Sequence, residues 1–530
     1  MYKRIRYGGI KGKPSNYSEF IIDNEEDLSS IPIENGECSI GSLAYSTKKV
    51  FILYPSGWFE FNNDVKNIAN KYYENILTKY VLRDFDEELV IDSETIGHYA
   101  GAPIKRVIAT NALNMINYAF YKCTNLTDIN LPNVTIISDG AFSYCSILKN
   151  INLPNATSIG GAAFYGCASL TDINLPSATS IGVNAFYNCT NLKNINIPNI
   201  ISIGSSAFSQ CSNLTEVNLP NVTIIDISTF YNCDSLTSIT DDNLPKVTSL
   251  STSAFRYCNL LETVSLSNVT TLNGTNVFGD CTSLKVVDLP NLAEINSEST
   301  FSNCTSLTNL TLPNLTKIYK NTFTKCNLTN LRLPKITSFD SNAIGWDLDC
   351  VIENLYLDGI ITLPAKSITN VKNVYLENCT TIKTNGFYSE NRLIYVYIPK
   401  VTKLEKNAFY KCANIESINL PSATSLGVTV FNSCTKLKHI NASAIKSIAA
   451  TSLKSIPSLE SIYLKSCTTI AANSFSGNTG LLDIYLPNAT YSNAPWGAVN
   501  ATIHYNCEFN EDGIPLELLE EEEEEQEEGD

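Results

Sequence analysis

Apolar and polar positions alternate along this chain in a pattern that comes back again and again. In Leu170-Thr171-Asp172-Ile173-Asn174-Leu175-Pro176, Ile173 and Leu175 fall on one face while Asp172 and Asn174 fall on the other. A period of two predicts a short strand. Pro176 has no N–H and ends it. Thr179-Ser180-Ile181-Gly182 follows as a turn with one inward Ile. Ala185-Phe186-Tyr187-Asn188-Cys189 reads as a short helical turn with Phe186 and Cys189 on one face. The unit then repeats. Phe120, Phe142, Phe164, Phe186, Phe208 and Phe230 lie 22 residues apart, and Phe255, Phe278, Phe301 and Phe323 continue at 25, 23, 23 and 22. Phe387, Phe409, Phe431 and Phe475 return in phase, with Leu453 standing in once. One such coil cannot bury its own apolar edge. Stacked coils bury Leu, Ile, Phe and Cys against their neighbours and align their strands in parallel. The predicted fold is a repeat solenoid over residues 104–490, about 17 coils of 22–25 residues at the observed phase, with a parallel β-sheet on one face.

Leu-x-x-Ile-x-Leu-Pro, then Ile-Gly, then Ala-Phe-x-x-Cys resembles the BspA-type leucine-rich repeat, a form also found in treponemal and trichomonad surface proteins. The resemblance implies a leucine-rich repeat solenoid and a role in adhesion to a surface protein or glycan.

The ends lack the repeat. Residues 1–62 read as a small β head, with strands expected at Glu19-Phe20-Ile21-Ile22-Asp23, Lys49–Tyr54 and Trp58-Phe59-Glu60-Phe61. Gly41-Ser42-Leu43-Ala44-Tyr45, followed by a hairpin ending Gly57-Trp58, resembles a small β module of tailed-phage structural proteins. Residues 63–83 carry Val65, Ile68, Ala69, Tyr72, Tyr73, Ile76, Leu77, Tyr80 and Val81 at helical spacing, an amphipathic helix that packs on the head or pairs with another copy. Residues 84–103 lead in, with Leu89-Val90-Ile91 as a capping strand. The pattern degrades between 343 and 376, where a bend or joint is expected. Ala494-Pro495-Trp496 breaks the repeat, residues 491–510 form a C-terminal cap, and residues 511–530 are expected as a solvated, disordered acidic tail or a docking tail.

Composition narrows the function. The formal net charge is −16, which speaks against a nucleic-acid partner, since phosphate binding needs clustered Lys and Arg. No stretch approaches the ~18 apolar residues of a membrane span, so no membrane insertion is expected. The first residues show no secretory signal pattern. The chain has 17 Cys, but Cys123, Cys145, Cys167, Cys189, Cys211, Cys233, Cys258, Cys281, Cys304, Cys326, Cys412 and Cys434 each follow a repeat Phe by three. They are expected as a packed internal thiol ladder and not as a metal or disulfide set. Cys379 and Cys467 lie off that ladder. With three His, and without a nucleophile elbow, phosphate loop or zinc-helix motif, neither catalysis nor a cofactor is indicated.

Function is sought on the concave face, where the third and fifth positions of each strand point outward. The fifth row opens with Asn130, Asn152, Asn174, Asn196 and Asn218, an amide ladder. It then passes through Thr240, Ser265, Asp288, Thr311 and Arg332 and becomes Tyr356, Tyr375, Tyr397, Tyr463 and Tyr485, with Tyr395 beside them in the third row. Tyrosine there reflects either β propensity or a recognition stripe of large area and low entropy cost. Three readings stay open: a phage virion appendage binding a host-surface protein or glycan and attached to other virion proteins through residues 1–83, a bacterial surface adhesin, or an architectural spacer. The expected location is the virion surface or, alternatively, the bacterial cell surface.

Overall fold

The computed structural model describes the strands Tyr2–Arg6, Ser18–Ile22, Leu43–Tyr45, Val50–Tyr54 and Gly57–Glu60, then residues 88–91, 93–339, 344, 351–488, 490–492 and 494–519. The helix expected at 63–83 and the acidic run from Glu520 lie outside the described residues. The chain divides into two compact units, residues 1–192 and 193–530.

In the first unit the five N-terminal strands form one sheet in chain order. All pairs are antiparallel except Ser18–Ile22 with Leu43–Tyr45, which is parallel. The expected hairpin is present as Val50–Tyr54 paired with Gly57–Glu60. The solenoid opens with Glu88–Val90, paired in parallel with Arg106–Ile108. Asp128–Asn130 and Asn150–Asn152 follow in the same sheet.

The second unit has the same architecture, a parallel β-solenoid. Its main strands run from Asn194–Asn196 to Thr502–His504. Apolar positions explain the stacking. In the first unit Leu170, Ile173, Leu175, Ala178, Ile181, Ala185, Phe186 and Cys189 are each 2% exposed or less. The Phe rings stack nearly parallel, Phe120 on Phe142 at 5.3 Å and Phe164 on Phe186 at 5.1 Å between centroids. Tyr99 begins this stack on Phe120. In the second unit buried Trp496 meets Phe475 edge-on at 6.3 Å, so the break in the repeat keeps an aromatic beside the Phe rung.

Two sequence expectations are corrected. The segment around Ile181 is a second short strand and not a turn: Ser158–Ile159 pairs in parallel with Ser180–Ile181. The Phe segment is not helical. Asn184 and Asn188 take left-handed φ values of 56° and 59°, and the equivalent pair recurs four residues apart in most coils. In the coil before, Ala162, Phe164 and Gly166 each send their N–H to the next coil, at Val183 O, Ala185 O and Tyr187 O. An α-helix would spend those donors within the coil, whereas left-handed residues aim them along the array, where each finds an acceptor. Across the degenerate stretch, where a bend or joint is expected, the main sheet keeps its pairing. Arg332 pairs with Tyr356 and Tyr356 with Tyr375 without interruption. One long coil is followed by a short one, with equivalent Asn residues 24 and then 19 positions apart. Only the second ladder breaks, between Ser338–Phe339 and Thr362–Leu363.

The expected thiol ladder is present and bonded. Cys145 Sγ donates to Phe120 O at 3.1 Å and Cys167 Sγ to Phe142 O at 3.2 Å. In the second unit Cys281, Cys304, Cys326 and Cys412 each donate to the Phe carbonyl of the coil before. The described Cys are all free thiols. Cys379 and Cys467, off the ladder, are buried and donate within their own coils to Thr381 O and Thr469 O.

Candidate binding face

The outward positions of the main sheet behave as two rows in register. In the first unit Asn152 Nδ2 donates to Asn130 Oδ1 at 2.7 Å, the beginning of the expected amide ladder. In the second unit a longer ladder occupies the third strand position. Asn330 Nδ2 reaches Asn309 Oδ1 at 2.7 Å, Asn354 reaches Asn330 at 3.0 Å, and Asn373 reaches Asn354 at 2.9 Å. In-register parallel strands hold like amides one strand spacing apart, which is what a side-chain ladder requires.

Beside that ladder the fifth row carries aromatics. Arg332 lies 5.4 Å over the Tyr356 ring. Tyr356 stacks on Tyr375 at 4.4 Å and 11°. Tyr375 in turn meets Tyr395 at 5.8 Å and 54°, and Tyr397 at 6.4 Å and 45°. Tyr395 and Tyr397 are 44% and 40% exposed, with Val396 between them buried. Burial raises the Tyr375 hydroxyl above its ordinary value, with Tyr356 adding to the effect. The charges alongside are paired: Lys372 with Glu353 at 2.6 Å, and Arg332 with Asp358 at 3.4 Å.

The six tyrosines chosen from the sequence therefore separate into two groups. Tyr356, Tyr375, Tyr395 and Tyr397 form one continuous surface. Tyr463 and Tyr485 meet each other at 5.3 Å in a second group on the last coils. Tyr485 is not an exposed residue: it is 5% accessible, with the His504 ring stacked on it at 4.3 Å. The chain beyond the last strand folds back here. Asn441 Nδ2 donates to Asp512 O and Lys465 Nζ to Asn510 O, both at 2.7 Å. His504 bonds Asp483 at 2.8 Å and lies 3.7 Å from Glu517. Part of the segment expected as a tail thus lies against the sheet end, with Asp512 O accepting from Asn441 and Glu517 beside His504.

This repeat geometry has a family. The profile of the BspA type leucine-rich repeat region matches residues 114–237, 223–347 and 363–482. The chain is a BspA-type leucine-rich repeat protein. No curated protein sequence matches this leucine-rich repeat chain. Among solved structures, it is similar to a leucine-rich repeat protein from Bacteroides ovatus at 22% identity, covering 80% of this chain and 93% of that one with a TM-score of 0.40. It is also similar to a leucine-rich cell surface protein from Faecalibacterium prausnitzii at 19% identity, covering 86% and 97% with a TM-score of 0.30. The T. pallidum leucine-rich repeat protein matches at 25% identity over 37% of this chain and 83% of that one, with a TM-score of 0.25. BspA-type proteins act in binding or adhesion and are typically found at the cell surface.

Sequence reading of this BspA-type protein missed the Asn309–Asn373 ladder. The signal was there, Asn in the third position of four successive strands, but the 24- and 19-residue coils hide it until register is known. It also missed a row of rings on the Phe turns of the first unit. There Tyr121, Tyr144, Tyr165 and Tyr187 follow one another at 5.8, 5.1 and 4.8 Å, and Lys122 lies near two of them. Among the described residues no group of three His, Cys, Asp or Glu is placed to hold a metal, and no helix is long and apolar enough to cross a membrane.

Proposed function

We propose that this chain is a non-catalytic recognition protein that binds a partner at a cell surface through the main-sheet face between Arg332 and Tyr397. The carrying observation is the contiguous Tyr356–Tyr375–Tyr395–Tyr397 surface: aromatic rings with polar tips, held rigid by stacking and by the amide ladder beside them. Rigid aromatic anchors give contact area at little entropy cost. Tyr463 and Tyr485 are not part of this surface, since the C-terminal segment already uses their end of the sheet.

The finer reading is a phage virion appendage. The Val50–Tyr54 and Gly57–Glu60 hairpin, with its Gly57-Trp58 end, supports an N-terminal head that anchors the chain to other virion proteins. A gene neighbourhood of tail or capsid genes supports that reading, and one of cell-envelope genes replaces it with the bacterial adhesin.

The test of the recognition face is binding of the full chain to candidate bacterial cells, beside a Tyr375→Ser, Tyr395→Ser, Tyr397→Ser variant with an unchanged far-ultraviolet circular dichroism spectrum. Loss of binding in the variant alone supports the face. Equal binding by both chains sinks it, and binding by neither moves the architectural reading forward.

A further inference from the structure

We infer that the ligand of this face is a neutral, linear glycan lying along the array, its sugar rings in step with the coils. The inference rests on the recognition reading above and adds the chemical class of the partner.

The amide ladder supplies the first argument. Each Asn side chain has two N–H donors and a carbonyl oxygen with two lone pairs. Within the ladder Asn330 and Asn354 each spend one donor and one lone pair on their neighbours. One donor and one lone pair per coil remain for a ligand. A vicinal diol offers the complement, one hydroxyl donating and the next accepting, and a 1,4-linked pyranose chain with free 2- and 3-hydroxyls repeats that diol at every ring.

Spacing supplies the second. Successive rungs of a parallel sheet lie roughly 4.8 Å apart, whereas same-face side chains of an extended peptide recur at roughly 6.7 Å, twice the rise per residue. A peptide strand laid along the ladder therefore drifts a full rung out of step within about three coils. A sugar chain advancing by about one ring per coil keeps its contacts over Asn309, Asn330, Asn354 and Asn373.

Charge and ring orientation complete the picture. Lys372 is engaged by Glu353, and Arg332 by Asp358 and the Tyr356 ring. With both cations partnered, the face selects a neutral ligand over an acidic one. The stacked Tyr356–Tyr375 pair covers its facing ring surfaces. Tyr395 and Tyr397 are turned by 54° and 45° from Tyr375 and are partly exposed. Their faces provide the stacking platform for a terminal sugar at the end of the ladder, where Asn373 pairs with Tyr395 across the strands.

The experiment titrates the full chain by calorimetry with linear neutral homo-oligosaccharides, α- and β-linked, from disaccharides to octasaccharides. In parallel, cell binding is measured after the cells are treated with periodate, which cleaves sugar diols, or with protease. The expected result is affinity that tightens with each added sugar up to four or five rings and then levels. Asn354→Leu and Tyr397→Ser should each weaken binding by roughly tenfold, about 1.4 kcal/mol, without lowering the melting temperature enough to unfold the chain. Should Asn354→Leu fail to fold, Asn373→Leu, which loses a single ladder bond, takes its place. Cell binding should be abolished by periodate and survive protease. Tyr-dependent cell binding that survives periodate and is abolished by protease overturns the glycan class and leaves the face standing. Cell binding indifferent to the tyrosines overturns the recognition reading itself.

Discussion

The carboxylate of Glu390 accepts the backbone N–H of Asn370 at 2.8 Å, on the inner rung where the following coil carries Cys412. Glu390 is 7% exposed, and burial pushes its carboxyl up to about 7, against smaller opposing effects of the Asn370 N–H and Arg392. A carboxyl whose folded value is raised stabilises the fold most below its unfolded value. That contribution is lost as pH rises toward and through about 7. The second unit should therefore melt at a lower temperature at pH 8 than at pH 5, with up to about 3 kcal/mol at stake. Glu390→Gln keeps an acceptor for Asn370 and should flatten the dependence. Scanning calorimetry of both chains at the two pH values decides; an unchanged slope in the variant would show that other groups set it.

The ladder thiols should be chemically silent in the native chain. Burial pushes Cys189, Cys281 and Cys434 up to about 12, and the thiolate is the reactive form. At pH 8, alkylation followed by peptide mass spectrometry should, among the described Cys, modify the part-exposed Cys507 first and leave the buried rungs untouched until denaturant is added. Native labelling at Cys167 or Cys281 would contradict the closed ladder.

Removing one rung should cost stability locally. Cys167→Ala deletes both a buried sulfur and its bond to Phe142 O. A loss of about 1–3 kcal/mol is expected from the cavity and the unmade bond, read as faster amide hydrogen exchange in the coils around Phe142 and Phe164. Unaltered exchange there would mean that the coils close over the gap.

The Ile-Gly step should tolerate no side chain at Gly182. A Cβ there would stand 2.6 Å from Gly161 N and 2.7 Å from Gly160 C, and backbone cannot rotate away. Gly182→Ala should destabilise the first unit by about 1–3 kcal/mol, seen as a lower denaturation midpoint in urea. A neutral result would mean that the coils can separate at this step.

At the other end, His504→Ala should uncover Tyr485 by removing the ring stacked on it and the bond to Asp483. Nitration of tyrosines with peptide mapping should then modify Tyr485, which the native chain protects, while Tyr395 and Tyr397 react in both. Protection of Tyr485 in the variant would assign its burial to the Asn441 and Asp512 contact instead.

Much of this could be read from the chain alone. The coil, its strand, the Phe stack and the thiol row follow from a local period, because each repeats every 22 residues or so and buries itself against an identical neighbour. The form of the Phe turn could not be read. Phe186 and Cys189 at spacing three fit a helix as well as two left-handed turns, and only the demand of the next coil for hydrogen bonds along the array chooses between them.

The sequence by itself determined which side chains lie inward and which rows lie outward, since that depends on alternation within a few residues. Tertiary structure alone decided which outward tyrosines are surface. Tyr397 and Tyr485 occupy the same strand position, yet one is 40% exposed and the other 5%. The difference comes from the chain end, which stacks the His504 ring on Tyr485 and then returns over the sheet to place Asp512 beside Asn441, 71 residues away. No local pattern encodes such a contact, because its loop-closure cost and its hydrogen bonds balance only once the coils beneath it have stacked.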